Sequence, residues 1–249
     1  MAATLILNAD DLGYDVAVSR GILRAMREGI VSSTTCMVNL PDAEEAARAA
    51  GGLAVGLHLN LARGAPVGGA FPPELLAAGA LDEARAGELP RGVVEAETHA
   101  QLDVLTGWLG REPTHVDVHK HLHRHPGILL GVARAARARG LPVRSIDPGM
   151  RASLQAEGVA TNTHFLGDAG AEAYWTEARL LAHLGSLPAE GVVELMCHPG
   201  YRPERLQSGY SVQREVELAA FTSPAARQAL ARGGAVVGTF AVLKGARIC

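Results

Sequence analysis

The chain has 249 residues, of which 48% are apolar and only 4% aromatic, enough to bury one sizeable core or two small ones. The formal net charge is −3 without any block of like charge, which argues against nucleic acid or an anionic membrane as partner and favours a small neutral ligand. The cysteines Cys36, Cys197 and Cys249 form no CxxC pair, so neither a disulfide framework nor a thiolate zinc site is expected. With no leader signature and no run of roughly 18 apolar residues, the sequence predicts a cytoplasmic protein.

Short apolar runs alternate with longer stretches of helical periodicity along the chain. The apolar runs are bounded by Gly, Pro or Asp and predict buried strands at residues 4–8, 32–38, 53–58, 114–118, 143–146, 192–198 and 235–240. Helices are predicted between them at residues 16–28, 42–50, 93–109, 126–139, 171–184 and 224–232. Repeated βα units of this size indicate a parallel sheet.

About seven such units, with neither a nucleotide-binding glycine fingerprint nor a linker, favour a distorted (βα) barrel over an open doubly wound sheet. We expect one catalytic domain over residues 1–249. Polar candidates lie at or just after predicted strand ends: Asp10 and Asp11, His58, His119 and His198. Barrel enzymes build their active sites from side chains that converge from separate strand ends onto one rim. The Gly-, Pro- and Ala-rich stretch 59–92 is expected to be a loop that shapes the mouth.

The segment THVDVHKHLH carries a potential ligand at every second position. Successive side chains of a strand point to opposite faces, so this spacing predicts that all of them point the same way. They are His115, Asp117, His119, His121 and His123. Such clustering of imidazole and carboxylate indicates a mononuclear transition-metal site rather than a set of unrelated core histidines.

Two adjacent acids in NADDLGYD follow the first predicted strand. Such pairs are often only a turn or helix cap, but their place at a strand end predicts that one ligates a cation and the other is free as a base. In GLHLNL, His58 with Asp11 and His119 would complete a set of two histidines and one carboxylate, which leaves positions open for water and substrate.

The segment ELMCHPGY places a cysteine and a histidine side by side. Neighbours on a strand face opposite ways, so Cys197 and His198 are poorly arranged as a nucleophile pair. His198 is therefore the catalytic candidate.

Together, NADDLG, GLHLNL, THVDVHKHLHRHP and ELMCHPGY span residues 8–201 and resemble the YdjC-like carbohydrate deacetylases. The resemblance implies a single-domain distorted (βα) barrel of the polysaccharide-deacetylase-like type that removes an acetyl group from an N-acetylated sugar. It implies one divalent metal ion, recorded as magnesium, on Asp11, His58 and His119, with Asp10 as base. His198 is similar in placement to the histidine that acts as acid in the wider superfamily.

Other residues are expected to assist this set. Asp117, His121 and His123 match neighbouring motif positions and would support the ligands or contact substrate, while Arg144 in the predicted fifth strand would orient Asp10. Two nitrogen ligands by their softness favour Zn, Mn, Co or Fe over Mg.

Aromatic side chains, which usually stack on a sugar ring, are scarce near the predicted mouth, where stretch 59–92 has only Phe71. Stacking is therefore expected from Tyr174, Trp175, Tyr201 or Tyr210, or from a partner subunit, and a homo-oligomer is left open.

Two other functions compete with a metal-dependent deacetylase: a metal-dependent phosphoesterase and a sugar- or metal-binding protein without turnover. A phosphoesterase is expected to carry more Lys or Arg at its rim, and the strand-end motifs hold few. A binding protein has no use for a free Asp10. No Walker, GxSxG or HExxH pattern points to other chemistry.

Overall fold

A curled parallel sheet with helices packed around it forms the centre of the protein, in a computed structural model that describes residues 3–69 and 71–244. The strands are β1 Thr4–Leu12, β2 Ser33–Cys36, β3 Val55–Leu59, β4 Leu76–Ala77, β5 Ala80–Leu81, β6 Val116–Val118, β7 His164–Leu166, β8 Val192–Cys197 and β9 Val236–Gly238. Their order is β6-β3-β2-β1-β8-β7, with β9 beside the first residues of β1 and β4–β5 as a separate antiparallel hairpin. The pairings of the larger sheet are all parallel, as predicted.

Helices follow most of the strands and cover the outside of the sheet. They are α1 Val16–Glu28, α2 Ala43–Ala50, α3 Arg91–Leu109, α4 Pro126–Ala138, α5 Pro148–Ala156, α6 Glu177–Leu184, α7 Val212–Thr222 and α8 Pro224–Arg232. The side chain of Asp15 caps α1 by accepting a hydrogen bond from the N–H of Ala17, and Gly29 ends the helix. The bounds predicted for α1 and α8 are confirmed.

The edge strands β6 and β7 do not pair with each other, and an extended segment lies between them. On one side, the N–H of Arg144 donates to the carbonyl of Val116 at 3.0 Å. On the other, the N–H groups of Val143 and Ser145 donate to the Ala160 carbonyl and to Oδ1 of Asn162. The sheet thus nearly closes on itself, and the predicted distorted (βα) barrel is confirmed.

The predicted fifth strand, residues 143–146, forms only a single β-bridge in the structure. The backbone N–H and carbonyl of Ser145 bond to the Asn162 side chain instead of to the backbone of a neighbouring strand. Two helices, α5 and α7, and the short strand β7 were not predicted. The helix predicted from residue 171 begins only at Glu177, since Tyr174 and Trp175 donate their backbone N–H groups to side chains of other elements.

The stretch 59–92 contains short ordered elements rather than one continuous loop. It includes the β4–β5 hairpin and two turns of 3₁₀-helix, Pro73–Leu75 and Glu83–Glu88. The buried Glu97 carboxylate of α3 holds its residues 67 and 68, by accepting from the backbone N–H groups of Val67 and Gly68 at 2.9 and 2.7 Å.

The core between sheet and helices is mainly aliphatic, with Cys36 and Cys197 buried in it as free thiols. Cys249 lies outside the described residues. Within residues 3–69 and 71–244, no helix combines the length and the apolar character needed to cross a membrane.

Gly21 is expected to be required where α1 meets the backbone after β8. A Cβ at this position would lie 2.5 Å from Cα of Gly200, a backbone atom that cannot turn aside. We expect Gly21→Ala to destabilise the protein by about 1–3 kcal/mol in urea unfolding, the usual cost of overpacking. The control is Gly107→Ala in α3, where a Cβ meets nothing within 4 Å; it should be neutral or stabilising by about 0.5–1 kcal/mol. Equal effects of the two changes would contradict the close contact.

Candidate active site

A cavity of about 570 Å³ opens at the carboxyl ends of the central strands. All five side chains predicted from strand ends line it: Asp10, Asp11, His58, His119 and His198. They come from β1, from β3 and from the residues just after β6 and β8. The parallel order of the sheet therefore brings together residues far apart in sequence at one rim.

Asp10 and Asp11 both face this cavity, although neighbours in a regular strand point to opposite sides. The pairing of β1 with β2 shifts register between Ala9 and Leu12, and Asp11 has a left-handed backbone with φ of 74°. Asp tolerates this conformation better than most residues. The bulge turns the second carboxylate back towards the first.

Three buried atoms converge at the bottom of the cavity. Oδ1 of Asp11 lies 3.2 Å from Nε2 of His58 and 3.2 Å from Nδ1 of His119, and the two nitrogens are 3.1 Å apart. Neighbouring ligands of an octahedral ion with bonds of about 2.1 Å are separated by a similar distance, about 3 Å. Oδ1 of Asp11 has no hydrogen-bond partner among the described residues.

The tautomer of His58 fits a metal ligand. Its Nδ1 lies 2.6 Å from Oδ1 of Asp117, which can only accept, so Nδ1 donates to Asp117 and Nε2 is the nitrogen that faces Asp11 and His119. Burial lowers the pKa of His58, but Asp117, Asp11 and Asp10 raise it to about 10 overall. This position therefore strongly favours positive charge, and the three converging atoms could hold a divalent cation.

A second set of potential ligand atoms, from Asp10, His58 and Asp117, is also close enough together to hold a metal ion. Its two carboxylates, however, are already paired with the Arg144 guanidinium. The Arg144 guanidinium binds both oxygens of Asp10, with Nη1 to Oδ2 at 2.6 Å and Nη2 to Oδ1 at 2.7 Å. Its Nη2 also lies 2.9 Å from Oδ2 of Asp117. Asp11 with His58 and His119 is therefore the better candidate for a metal centre.

Counter-charges keep both aspartates ionised. Burial raises the pKa of Asp10, but the charge and hydrogen bonds of Arg144 outweigh it and hold this pKa well below its usual range. For Asp11 the balance is the same, with Arg214 as the main opposing charge, so its pKa is also lowered. Nη2 of Arg214 lies 2.6 Å from Oδ2 of Asp11.

Comparison with known proteins agrees with this arrangement. A sequence model of the YdjC-like protein family matches residues 4–232. The chain belongs to the YdjC-like family. Chitooligosaccharide deacetylases of Serratia marcescens and of Yersinia pestis are each 36% identical to it, over 96% of this chain and 99% of theirs.

Solved structures support the fold. A proposed cellobiose-phosphate cleavage protein of Enterococcus faecalis superposes with a TM-score of 0.85 and 28% identity, over 98% of this chain and all of that one. The CE4 domain of a multidomain xylanase from the hindgut metagenome of Trinervitermes trinervoides gives a TM-score of 0.55 at 9% identity, over 98% of this chain and 90% of that one. This second likeness concerns the barrel alone.

The five alternating residues of this YdjC-like protein do not share one strand face, so that prediction is wrong. Strand β6 ends at Val118, and the chain enters a 3₁₀ turn in which Lys120 and His121 have left-handed backbones. The strand-like alternation of side chains therefore ends before His119, the metal-ligand candidate. His115 lies away from the cavity, fully buried and stacked on Phe240 with 3.7 Å between ring centroids.

The remaining predicted residues are divided between wall and core. His121 lines the cavity, whereas His123 is fully buried and is not part of its wall. Asp117 lies behind His58, bound to its Nδ1. Cys197 faces the other way from His198, with Sγ 3.4 Å from the Asn8 carbonyl, and burial raises its thiol pKa.

Of the four aromatic residues proposed to stack on a sugar, only Tyr210 lines the cavity. Trp175 is fully buried and its indole N–H donates to the Met196 carbonyl, so it is a core residue. A second cavity tyrosine, Tyr14, was not predicted.

Sequence reasoning missed two buried glutamates beside the site. Glu217 of α7 accepts from the backbone N–H of His198 at 2.6 Å and from the Tyr210 hydroxyl, so it fixes the start of the loop after β8. Glu194 of β8 accepts from Nε of Arg144 at 2.7 Å. Burial raises the pKa of Glu194 to about 7, because Asp10 and Asp117 oppose the favourable charge of Arg144.

The raised pKa of Glu194 predicts a pH-dependent stability. The folded protein holds this proton up to about pH 7 and the unfolded chain only to about 4.5, so stability from this group is present below pH 4.5 and lost as the pH rises to 7. Glu194→Gln cannot ionise but still offers Oε1 to Arg144. Between pH 4.5 and 8, urea unfolding of the variant should gain about 3 kcal/mol relative to wild type.

The exposed Glu190→Gln is the control and should show a constant difference from wild type over the same range. A constant difference for Glu194→Gln as well would mean that Glu194 ionises normally.

Proposed function

We propose that this YdjC-like protein is a metal-dependent deacetylase that hydrolyses the acetamide of an N-acetylated sugar or small oligosaccharide. The observation that carries the proposal is the convergence of Asp11, His58 and His119 on one point of a cavity that also contains the Arg144-bound carboxylate of Asp10. The names of the 36% identical relatives supply the substrate class.

In this proposal Asp11, His58 and His119 hold one divalent ion, and Asp117 supports it by fixing the His58 tautomer. Such an ion lowers the pKa of a bound water and polarises a carbonyl. The two nitrogen ligands favour Zn, Mn, Co or Fe, while Mg is the metal recorded for the family. Elemental analysis of the protein as purified distinguishes these.

Asp10 is proposed to take the proton of the attacking water. Its ion pair with Arg144 keeps the carboxylate unprotonated and fixes its orientation, which are two requirements of a general base. The same ion pair makes Asp10 a weak base, so the water must itself be strongly acidified. Asp10 is assigned as the base and Asp11 as a metal ligand because Arg144 binds both oxygens of Asp10, whereas Arg214 binds only Oδ2 of Asp11.

His198 is proposed to deliver a proton to the departing amine. Burial lowers its pKa to about 4, with Arg214 adding to the effect and Asp11 and Asp10 opposing it. His198 is therefore neutral at pH 7, and the proton that it gives to the amine is the one that Asp10 has taken from the water. Passage of this single proton from the water to Asp10, then to His198 and then to the amine leaves both residues as they began.

Phosphate-ester hydrolysis is the competing reaction, because the cavity wall holds more basic groups than the sequence predicted: Arg63, Lys120, Arg124 and Arg214. Three of them already have protein partners. Arg63 donates to the Tyr14 hydroxyl, Lys120 pairs with Glu83, and Arg214 pairs with Asp11 through Nη2, one of its two Nη groups. The wall therefore favours a neutral acetamide over a phosphate clamp.

Acetate release from a panel of N-acetylated mono- and disaccharides, with a phosphodiester alongside, tests the proposed reaction. The metal-loaded protein should release acetate, and Asp10→Asn should lose about 100-fold or more of turnover while it keeps its metal, because the amide cannot accept a proton. Phosphate-ester hydrolysis without acetate release would replace the proposal. An Asp10→Asn variant within a few-fold of wild type would remove Asp10 from the mechanism.

Metal content should separate the ligand candidates from other histidines. His58→Ala and His119→Ala are expected to lower the bound metal measured by elemental analysis, because each removes one of three converging atoms. His115→Ala is the control, since its ring stacks on Phe240 away from the cavity. Circular dichroism checks that all three remain folded. Equal metal loss in all three would show that the ligand assignment is wrong.

The role of His198 is tested by comparing two leaving groups. His198→Ala should keep its metal, lose most turnover on an acetamide and lose far less on an activated acetate ester, whose leaving group needs no proton. Cys197→Ser should be nearly silent because Sγ faces away from the cavity. A drop by the same factor on amide and ester would instead assign His198 to oxyanion binding or positioning.

A further inference from the structure

Arg214 of α7 has one donor group that is not bonded to any of the described residues. Its Nε donates to the Tyr210 carbonyl at 2.9 Å and its Nη2 to Oδ2 of Asp11 at 2.6 Å. Its Nη1 has no hydrogen-bond partner within residues 3–69 and 71–244, although Arg214 is only 2% exposed. A buried charged donor without an acceptor is costly, so this arm needs a partner from outside the described residues.

The position of Nη1 indicates where its hydrogen-bond acceptor lies. Arg214 lines the same cavity as the metal-ligand candidates, and its guanidinium carbon lies 5.5 Å from the ring centre of Tyr14 and 5.8 Å from that of Tyr210. The group is planar and is bonded at Nε and Nη2, so the direction of Nη1 is fixed. An acceptor on Nη1 therefore lies within one guanidinium width of the acceptor on Nη2, which is Oδ2 of Asp11.

The contacts within the described part of the fold use only two of the three guanidinium nitrogens. Nη2 neutralises Asp11 and Nε binds the Tyr210 carbonyl. The third nitrogen, the rigidly held Nη1, is suited to an oxygen that carries or gains negative charge, which forms the strongest hydrogen bonds with guanidinium.

We infer that Nη1 of Arg214 binds the acyl oxygen of the substrate and the carboxylate oxygen of the acetate product. The inference rests on the proposed deacetylase function. When water adds to the acyl carbon, the π electron pair of the carbonyl moves onto this oxygen, and a fixed donor stabilises it more in the transition state than in the substrate. Arg214 thereby becomes a catalytic residue as well as the partner of Asp11.

Arg214→Lys tests this role, because it keeps a positive charge for Asp11 and removes Nη1, together with the Nε bond to the Tyr210 carbonyl. In metal-loaded protein we expect unchanged metal content, about 100-fold lower kcat with little change in KM, and about tenfold weaker acetate binding by calorimetry. The control is Arg202→Lys, an exposed arginine paired with Glu215 outside the cavity, which should leave all three values unchanged. Acetate affinity and kcat within twofold of wild type in a metal-retaining Arg214→Lys variant would overturn the inference.

A measurement on the wild-type protein covers the case in which the variant does not fold or loses its metal. With ¹⁵N-labelled arginine, the Nη signal of Arg214 can be assigned from its contacts with the Tyr210 ring. Acetate at saturation should shift this signal, and an unshifted signal would overturn the inference. Neither calorimetry nor the spectrum needs turnover, so failure of the sugar panel and failure of the Arg214 role are separate results.

Discussion

The burial of Arg144 is the interaction on which both the barrel and its site depend. Its guanidinium contacts Asp10 from β1, Asp117 from β6 and Glu194 from β8, and all four side chains are shielded from water. Its backbone N–H also bonds to Val116, in the segment that closes the gap between the edge strands. The segment that closes the barrel therefore also carries the positive charge that neutralises the carboxylates inside it. Removing one partner from a buried ion pair usually costs about 3–5 kcal/mol.

Charge balance links this cluster to the candidate metal centre. One guanidinium cannot neutralise three carboxylates, and burial together with the charges of Asp10 and Asp117 raises the pKa of Glu194. The excess negative charge acts on His58, whose pKa it raises although burial opposes this. A cation bound at His58 relieves the same excess charge. The inner cluster thus favours metal binding although Arg144 touches none of the three converging atoms.

The sequence was most informative where chemistry coincides with strand ends. Parallel strands bring their carboxyl ends to one rim, so Asp10, His58 and His198 could be placed together without coordinates. Arg214 could not be placed there, because it comes from α7, a helix that was not predicted, and because it is 203 residues from Asp11 in the sequence. Glu194 gave a signal that was overlooked: an acid inside the apolar run VVELMC, where a buried strand requires a cationic partner.

Asp10 and Asp11 show why residue type and spacing cannot by themselves assign roles. They are chemically identical and adjacent, and the bulge in β1 makes both face one cavity. Arg144 binds both oxygens of Asp10, whereas Arg214 binds only Oδ2 of Asp11 and leaves Oδ1 aimed at His58 and His119. Two arginines from different parts of the fold thus turn equivalent carboxylates into an oriented ion-pair partner and an open ligand. The arm that Arg214 does not use on Asp11 is the one left for substrate.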